Sequence, residues 1–300
     1  MKTNWHGVFP AVTTQFRNDY SIDYTATQKV QDALINDGVN GLIVLGTCGE
    51  NNSLLPEEKR RVLQGAVEVA QKRVPVVTGI SELDTPRAIN YAQDAEKAGA
   101  DGLMLLPAMV YVPEEHELVA HFKAVAAATT LPIMLYNNPT AYRVGITSNV
   151  LQQLQEVKNI VAVKESAPDT RRFTDLYNEF GERYEIFAGL DDVALEGLVL
   201  GAKGWISGLT SAFPEESVEL VAAFERGDMA TALKIYRWFM PLLHLDAAHD
   251  LVQSIKLAET IMGRGTETVR MPRMPLAGKR RAEVTAMVEQ CAATRPTLNP

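Results

Sequence analysis

Eight short apolar runs, each followed by a segment with helix signals, constrain the fold of this 300-residue chain most strongly. The runs lie at residues 7–13, 41–46, 75–80, 102–106, 132–136, 160–164, 185–188 and 204–207. They are continuously apolar, which is typical of strands buried on both faces of a parallel sheet. A strand followed by a helix, eight times over, predicts a closed (β/α)8 TIM barrel of the α/β class.

Helix-start and helix-end residues separate these runs. Pro56 and the acidic pair after it open a helix that continues over residues 61–70, and Thr85-Pro86 opens the next over 87–98. Gly38 and Gly99 follow predicted helix ends. A doubly wound open sheet would alternate in the same way, but no glycine fingerprint for a dinucleotide follows any run. The pattern therefore favours the barrel.

The pattern changes after Pro214, where four helical segments follow one another at 215–226, 229–243, 251–262 and 279–293. One of them completes the barrel, and the others exceed what a minimal barrel needs. We expect a catalytic barrel at residues 1–225 and a C-terminal helical extension at 226–300. The extension is predicted to be structural, packing on the barrel or on another subunit.

Composition excludes several classes of protein. Of the residues, 46% are hydrophobic and 22% charged, which is typical of a globular chain. The net charge of -8 and the lack of a dense basic run argue against a nucleic-acid partner. No apolar stretch approaches the roughly 20 residues of a membrane span, and the N-terminus lacks a secretory signal. Two distant cysteines, Cys48 and Cys291, fit a reducing compartment, so we expect a soluble protein of the cytoplasm without a membrane partner.

The candidate active site lies where the strands end, because the carboxyl ends of the strands form the functional face of such barrels. Lys164 ends one apolar run, and burial of an amine favours the neutral form that attacks carbonyls. Tyr136 ends the preceding run and is a plausible proton shuttle for imine chemistry. A strand-end lysine also commonly pairs with an acid, and a strand-end tyrosine is commonly a packed ring. The two together favour imine chemistry.

Other polar residues at strand ends have simpler interpretations. The turn GTCG at 46–49 offers backbone N–H groups and a hydroxyl suited to a carboxylate, or is a plain tight turn. The five histidines have no catalytic or metal-binding spacing, which argues against cysteine catalysis at Cys48 and against a metal site. Asp191 and Asp192 are predicted to cap a helix, although they could also serve as acid and base.

Five motifs together resemble the dihydrodipicolinate synthase and N-acetylneuraminate lyase superfamily over nearly the whole chain. They are GTCGE at 46–50, YNNP at 136–139, VKES at 163–166, GLDD at 189–192 and GAKGWIS at 201–207. The resemblance implies that the enzyme forms a lysine imine with a 2-oxo acid, without a metal or an organic cofactor. It also implies a homotetramer, a dimer of dimers.

The resemblance assigns roles to individual residues. Lys164 is the Schiff-base residue, Tyr136 the acid and base, and Thr47 the relay hydroxyl. Cys48, through its N–H, and Ile206, through its carbonyl, line the substrate end. The remaining predicted substrate contacts are Gly189, Asn138 and Arg143, and a surface ion pair is an equally good interpretation of Arg143.

The chain also departs from the synthase pattern. Met109-Val110 followed by Tyr111 stands where the synthase has a Tyr-Tyr pair that reaches a neighbouring subunit. Ala141 stands where the synthase has an arginine that grips the carboxylate of the aldehyde substrate, and Arg143 lies two residues further on. Cys48 replaces the second threonine of the carboxylate loop. These departures argue against lysine biosynthesis.

A second combination of motifs looks like the branch that handles 1-pyrroline-4-hydroxy-2-carboxylate in hydroxyproline breakdown. These motifs are GTCGENxSL at 46–54, LLPAMVY at 105–111, YNNPTAYRV at 136–144, GLDD at 189–192 and YRWFMPLLHLD at 236–246. We therefore expect a deaminase that takes this cyclic imine carboxylate to 2,5-dioxopentanoate and ammonia. The alternatives are a synthase-like or lyase-like enzyme acting on pyruvate or a 2-keto-3-deoxy acid, and a ligand-binding barrel without catalysis. A pyridoxal phosphate enzyme would also use a lysine, but it would be coloured, and we expect colourless protein.

Overall fold

Eight parallel strands form the barrel in a computed structural model that describes residues 3–108 and 111–298. The strands are β1 (Gly7–Pro10), β2 (Leu42–Val44), β3 (Val76–Ile80), β4 (Gly102–Leu105), β5 (Ile133–Asn137), β6 (Ile160–Glu165), β7 (Glu185–Ala188) and β8 (Gly204–Ser207). Each strand pairs with its neighbour in sequence, and β1 pairs with β8. A bridge between Ala11 and Ile43 joins β1 to β2 and closes the ring. The predicted (β/α)8 barrel is confirmed.

The strand ends differ slightly from the predicted runs. β1 stops at Pro10, whereas the apolar run continues to Thr13, because Val12 instead donates its N–H to the carbonyl of Ile43 at 2.9 Å. β5 and β6 each extend one residue further than predicted, since Asn137 and Glu165 remain in register. The polar ends of β5 and β6 are thereby aligned at one mouth of the barrel.

Helices follow the strands as expected. They are α1 (Tyr24–Asn36), α2 (Pro56–Ala70), α3 (Thr85–Lys97), α4 (Glu115–Ala127), α5 (Pro139–Tyr142), α6 (Ser148–Gln153), α7 (Arg171–Phe180), α8 (Ala194–Val199) and α9 (Pro214–Glu225). Start signals act locally: the Asp84 side chain accepts a hydrogen bond from the N–H of Arg87 at 2.8 Å and so caps α3. None of the helices in the described ranges is both long and apolar enough to cross a membrane.

The C-terminal extension contains α10 (Met229–Leu243), α11 (Leu251–Ile261) and α12 (Gly278–Ala293). α10 packs on α9, and the Trp238 and Phe239 rings of α10 lie 5.8 and 5.4 Å from that of Phe213, the residue just before α9. Helix α11 carries Lys256 and Glu259, both fully buried, toward the mouth of the barrel. The division at residue 225 stays a prediction, although α9 ends there.

Candidate active site

Lys164 and Tyr136 lie side by side at the ends of adjacent strands. They are register partners on β6 and β5, and the Lys164 Nζ lies 4.1 Å from the centroid of the Tyr136 ring. Both residues are only 5% exposed. The structure thus brings together the two residues that sequence reasoning singled out, with the amine against the face of the phenol ring.

Gly189 makes room for the lysine side chain. A Cβ atom at position 189 would lie 2.5 Å from Lys164 Cγ, 2.7 Å from its Cε and 2.3 Å from Ser166 Oγ. These are clashes that any side chain would create. Gly189 therefore contacts the lysine stem, and its predicted contact with substrate stays a prediction.

The Tyr136 hydroxyl is held by Asn138, two residues along the chain. The Asn138 Nδ2 donates a hydrogen bond to it at 3.2 Å, while Asn138 Oδ1 accepts one from the Ala141 N–H at 2.9 Å and caps α5. Burial raises the pKa of Tyr136 to about 12, and the hydrogen bond from Asn138 acts in the opposite direction. The phenol is therefore protonated at neutral pH and oriented by a side chain that is itself fixed.

Thr47, the predicted relay residue, is hydrogen-bonded through its hydroxyl to the hydroxyl of Tyr142. The Tyr142 ring stands edge to face with that of Tyr136, with centroids 5.7 Å apart. Burial raises the pKa of the Tyr142 phenol above its usual range, and the neighbouring Tyr136 adds to this. Sequence reasoning missed Tyr142, although it lies in the same segment as the YNNP motif.

Tyr111 does not take part in this cluster. Its side chain is exposed, and its hydroxyl donates a hydrogen bond to Glu117 Oε1 at 2.7 Å on the outer surface. Met109 and Val110, which occupy the position of the missing tyrosine pair, lie outside the described residues. Within the described part of one chain, the tyrosine next to Thr47 is Tyr142.

The turn that carries Thr47 is anchored by buried polar contacts. Glu50, in the left-handed region at φ 55°, accepts hydrogen bonds from Lys256 Nζ at 3.1 Å and from the Arg270 N–H at 2.9 Å. Asn51 Nδ2 donates to the carbonyls of Leu45 and Gly79. The C-terminal extension therefore holds the turn in place through Lys256 and Arg270.

A single cavity at the barrel mouth gathers most of these residues, and we call it the mouth cavity. It is lined by Ala11, Gly46, Thr47, Cys48, Met104, Tyr136, Asn138, Ala141, Tyr142, Lys164, Gly208, Asp246 and Leu251. Burial raises the pKa of the Cys48 thiol, which keeps it neutral and fits its exclusion as a nucleophile. Lys164 is the one cationic side chain among the described residues that line the mouth cavity.

Three predicted substrate contacts lie outside that lining, namely Gly189, Ile206 and Arg143. Ile206 is buried within β8, paired with Phe9 of β1. Arg143 is exposed at the end of α5, in the left-handed region at φ 58°. Their substrate-binding roles stay predictions, as does the role of the Cys48 N–H.

Asp191 and Asp192 lie in the first turn of a short 3-10 helix, Asp191–Val193, as a helix N-terminus requires, but the predicted cap is wrong because neither side chain caps this helix. The Asp191 side chain accepts hydrogen bonds from Trp205 Nε1 at 2.9 Å, from Ser207 Oγ at 3.1 Å and from the Leu209 N–H at 3.0 Å. These donors belong to β8 and the loop after it, so the carboxyl group joins neighbouring strand ends. Asp192 pairs with His244 Nδ1 at 2.9 Å.

Asp246 is, after Tyr142, the second polar residue of the mouth cavity that sequence reasoning missed. It belongs to the segment between α10 and α11, in the extension predicted to be structural. The sequence held one signal for this residue. Asp246 is the acidic residue of the LHLD segment, which follows a predicted helix with few acidic residues. Among the described residues, no group of three or more His, Cys, Asp or Glu side chains is placed to hold a metal ion.

Comparison with known proteins places this site in a family. A model described as the dihydrodipicolinate synthetase family matches residues 4–291. The chain belongs to this family. Its members are Schiff-base lyases, and the chain is an enzyme of that kind. The superfamily predicted from the motifs is confirmed.

Relatives of this family resemble the chain over almost its whole length. The 4-hydroxy-tetrahydrodipicolinate synthase of Bradyrhizobium diazoefficiens is 34% identical over 96% of this chain and 97% of its own. The dihydrodipicolinate synthase structure from Aquifex aeolicus superposes with a TM-score of 0.91 at 28% identity, covering 95% of this chain and 98% of that one. A prophage protein of the family from E. coli K12, solved in complex with pyruvate, has the same TM-score and identity, with 97% and 99% covered.

Proposed function

We propose that the chain is a deaminase that converts 1-pyrroline-4-hydroxy-2-carboxylate to 2,5-dioxopentanoate and ammonia through an imine on Lys164. The observation that carries the proposal is the lining of the mouth cavity. It contains Lys164, Tyr136 and Thr47, but Ala141 at the position where a synthase would carry an arginine. A cavity with a single cation suits a substrate with one carboxylate and leaves no guanidinium for a second one.

The proposed reaction begins with the amine of Lys164, which adds to C2 of the cyclic imine. The ring C2–N bond breaks, the C5 amine is released, and the substrate is held as a lysine imine. Loss of a proton from C3, assisted by Tyr136, gives an enamine that expels the 4-hydroxyl as water. Tautomerisation and hydrolysis of both imines consume two waters, so the reaction takes up one water overall.

The substrate carboxylate is assigned to the turn at residues 46–49, where the Thr47 hydroxyl and the Cys48 N–H are available. Asn138 acts through Tyr136, whose hydroxyl it orients. The proposed substrate contacts also include three residues that do not line the mouth cavity, namely Ile206, Gly189 and Arg143. No metal and no organic cofactor takes part in the proposed chemistry.

A second candidate is a synthase-like or lyase-like aldolase or dehydratase that acts on pyruvate or a 2-keto-3-deoxy acid. The name of the Bradyrhizobium relative and the pyruvate complex of the E. coli family member favour this candidate. Ala141 favours the first, since it stands where the synthase pattern has an arginine. Both candidates use the same lysine imine.

One panel of assays separates the candidates. Purified protein is offered 1-pyrroline-4-hydroxy-2-carboxylate, several 2-keto-3-deoxy acids, and pyruvate with the aldehyde substrate of the synthase, while ammonia and semialdehyde are measured. Ammonia from the pyrroline supports the deaminase, and turnover of the other substrates alone supports the second candidate. Borohydride reduction in the presence of a 2-oxo acid should attach the mass of the ligand at Lys164. If no 2-oxo acid gives an adduct, the result supports the ligand-binding barrel without catalysis.

We also propose a homotetramer built as a dimer of dimers. An apolar surface with Leu83, Tyr111 and Val112, each more than half exposed, suits burial against a second copy of the chain. Sedimentation velocity would reveal the assembly, and a monomer at micromolar concentration would contradict it. The cytoplasmic location stays a prediction that rests on the cysteine content.

A further inference from the structure

Asp246 brings a carboxyl group into the mouth cavity from outside the barrel. It lies between α10 and α11, and it lines the mouth cavity together with Lys164 and Tyr136. Its side chain is half-buried, and the chemistry described above does not use it. An acid next to an imine-forming lysine is a candidate for proton transfer to the substrate.

The fold makes room for this carboxyl group. A Cβ atom at Gly208 would lie 2.7 Å from Asp246 Oδ1, 2.4 Å from Ile255 Cδ1 and 3.5 Å from Cys48 Sγ, so a side chain there would displace it. The hydrogen bond that the carboxyl group accepts from the described residues is a long one, from the Asp191 N–H to Oδ2 at 3.4 Å. Oδ1 lies next to Gly208, which also lines the mouth cavity.

The contrast with Asp191 assigns different tasks to the two carboxyl groups. Asp191 is fully buried and accepts three hydrogen bonds from β8 and the loop after it, so it serves the structure. Asp246 accepts one long hydrogen bond, and its side chain borders the mouth cavity. Of the pair, Asp246 is the one that can exchange a proton with a bound ligand.

The charged and titratable groups that face Asp246 are Lys164, Asp191, Asp192, Cys48 and Tyr136. Burial raises the pKa of Asp246 to about 6, while the nearby Lys164 opposes this rise and Asp192 adds to it. A carboxyl group of this kind is partly protonated near neutral pH. It can both donate a proton and recover one from solvent.

Electrostatics orients a substrate in the mouth cavity. A substrate carboxylate at C1 is attracted to the turn that carries the Thr47 hydroxyl and the Cys48 N–H. With C2 bonded to Lys164, the part of the substrate beyond C3 is turned toward Asp246. The atom placed to receive a proton there is a substituent on C4.

We propose that Asp246 is the general acid that protonates a hydroxyl group leaving C4 of the lysine-bound substrate. The proposal rests on the proposed function and narrows its substrate class to 2-oxo acids or their cyclic imines that carry a hydroxyl at C4. The enamine electrons form the C3–C4 double bond, the C4–O bond breaks, the Asp246 proton goes to the oxygen, and water leaves. The resulting carboxylate recovers its proton from solvent.

The test separates elimination from the earlier steps in an Asp246→Asn variant. Pyruvate has no C4, so its trapping on Lys164 by borohydride and the exchange of its C3 hydrogens in D2O need no acid there. We expect both to stay within about threefold of the wild type, while turnover of 1-pyrroline-4-hydroxy-2-carboxylate falls about 10²-fold or more. In the wild type kcat should decline as pH rises through about 6, and this decline should be absent in the variant.

Asp192→Asn is the matched control, because Asp192 lies nearby but pairs with His244 and does not line the mouth cavity. It should keep turnover, and because Asp192 raises the pKa of Asp246, the decline of kcat should remain but move to lower pH. Unimpaired turnover in Asp246→Asn would overturn the assignment, and so would loss of C3 exchange together with turnover, since an acid at C4 is not needed for exchange. Absence of any borohydride adduct in the wild type would instead overturn the proposed function itself.

Discussion

The hydroxyls of Thr47 and Tyr142 are hydrogen-bonded to each other within one chain, although 95 residues separate them in sequence. Thr47 comes from the turn after β2, and Tyr142 ends the short helix α5. The Tyr142 ring also packs edge to face on Tyr136, which lies against Lys164. A pair of tyrosines and a threonine thus surrounds the candidate imine site without a residue from another subunit.

Tyr142→Phe removes the partner of the Thr47 hydroxyl while it keeps the ring. If Tyr142 completes the proton relay, C3 exchange of pyruvate and turnover should both fall about 10²-fold, with imine formation intact. Exchange is followed by NMR in D2O, and the imine by borohydride trapping. Tyr111→Phe, which alters an exposed tyrosine, should change neither rate. Equal rates in the two variants would show that Tyr142 is only a packed ring.

Lys164→Ala should abolish both turnover and trapping, because the amine is the proposed covalent catalyst. Mass spectrometry after borohydride reduction with pyruvate should show the adduct in the wild type and in Lys203→Ala, which removes an exposed lysine before β8. Circular dichroism checks that the fold is retained. An adduct that persists in Lys164→Ala would refute the assignment of the imine to this residue.

Tyr136→Phe should slow turnover by about 10²–10⁴-fold if the phenol transfers protons. The variant keeps the ring contact with Lys164. The lower rate should therefore come from slower proton transfer, and substrate affinity should change little. Because burial raises the pKa of Tyr136 to about 12, the wild type should show no loss of activity from ionisation of this phenol below pH 9. A large rise in KM with unchanged kcat would assign Tyr136 to binding alone.

Glu259 predicts a pH dependence of stability. It is fully buried and hydrogen-bonded to the Thr13 hydroxyl at 2.7 Å, and burial raises its pKa to about 7. In the unfolded chain a glutamate titrates near about 4.3, so the folded chain binds the extra proton between these two pH values. The free energy of unfolding contributed by this group is therefore fully present below about pH 4 and decreases as pH rises toward 7.

Glu259→Gln removes that dependence. When the pH is raised from 5 to 8, the wild type should lose on the order of 2 kcal/mol of unfolding free energy that the variant keeps. Urea unfolding at the two pH values measures the difference. The exposed Glu289→Gln variant serves as the control and should follow the wild type at both. Parallel behaviour of Glu259→Gln and the wild type would contradict a raised pKa at this position.

Much of the fold could be predicted from the sequence because its determinants are local. Continuous apolar runs at 160–164 and 132–136 become buried strands in any parallel sheet, and their polar end residues must lie at one mouth of the barrel. Lys164 and Tyr136 therefore meet as expected, on adjacent strands in register. Helix α3 begins at Thr85 for an equally local reason, the cap from Asp84.

Side chains that reach the mouth cavity from loops and from the extension could not be predicted in this way. Asp191 looked like a helix cap in sequence, yet its carboxyl group binds Trp205, Ser207 and Leu209, which come near it only when β7 and β8 are side by side. Asp246 looked like part of a structural tail, yet the path of the chain between α10 and α11 brings it to the mouth cavity.

The sequence by itself determined the eight-stranded barrel, the family, and the pairing of an amine with a phenol, because strand periodicity and strand-end position are properties of neighbouring residues. Only the tertiary structure decided that Tyr142 contacts Thr47, that Gly208 leaves space for Asp246, and that Tyr111 points away. Those outcomes depend on the direction of side chains carried by distant segments. That direction is set by packing across the whole barrel and not by any local pattern.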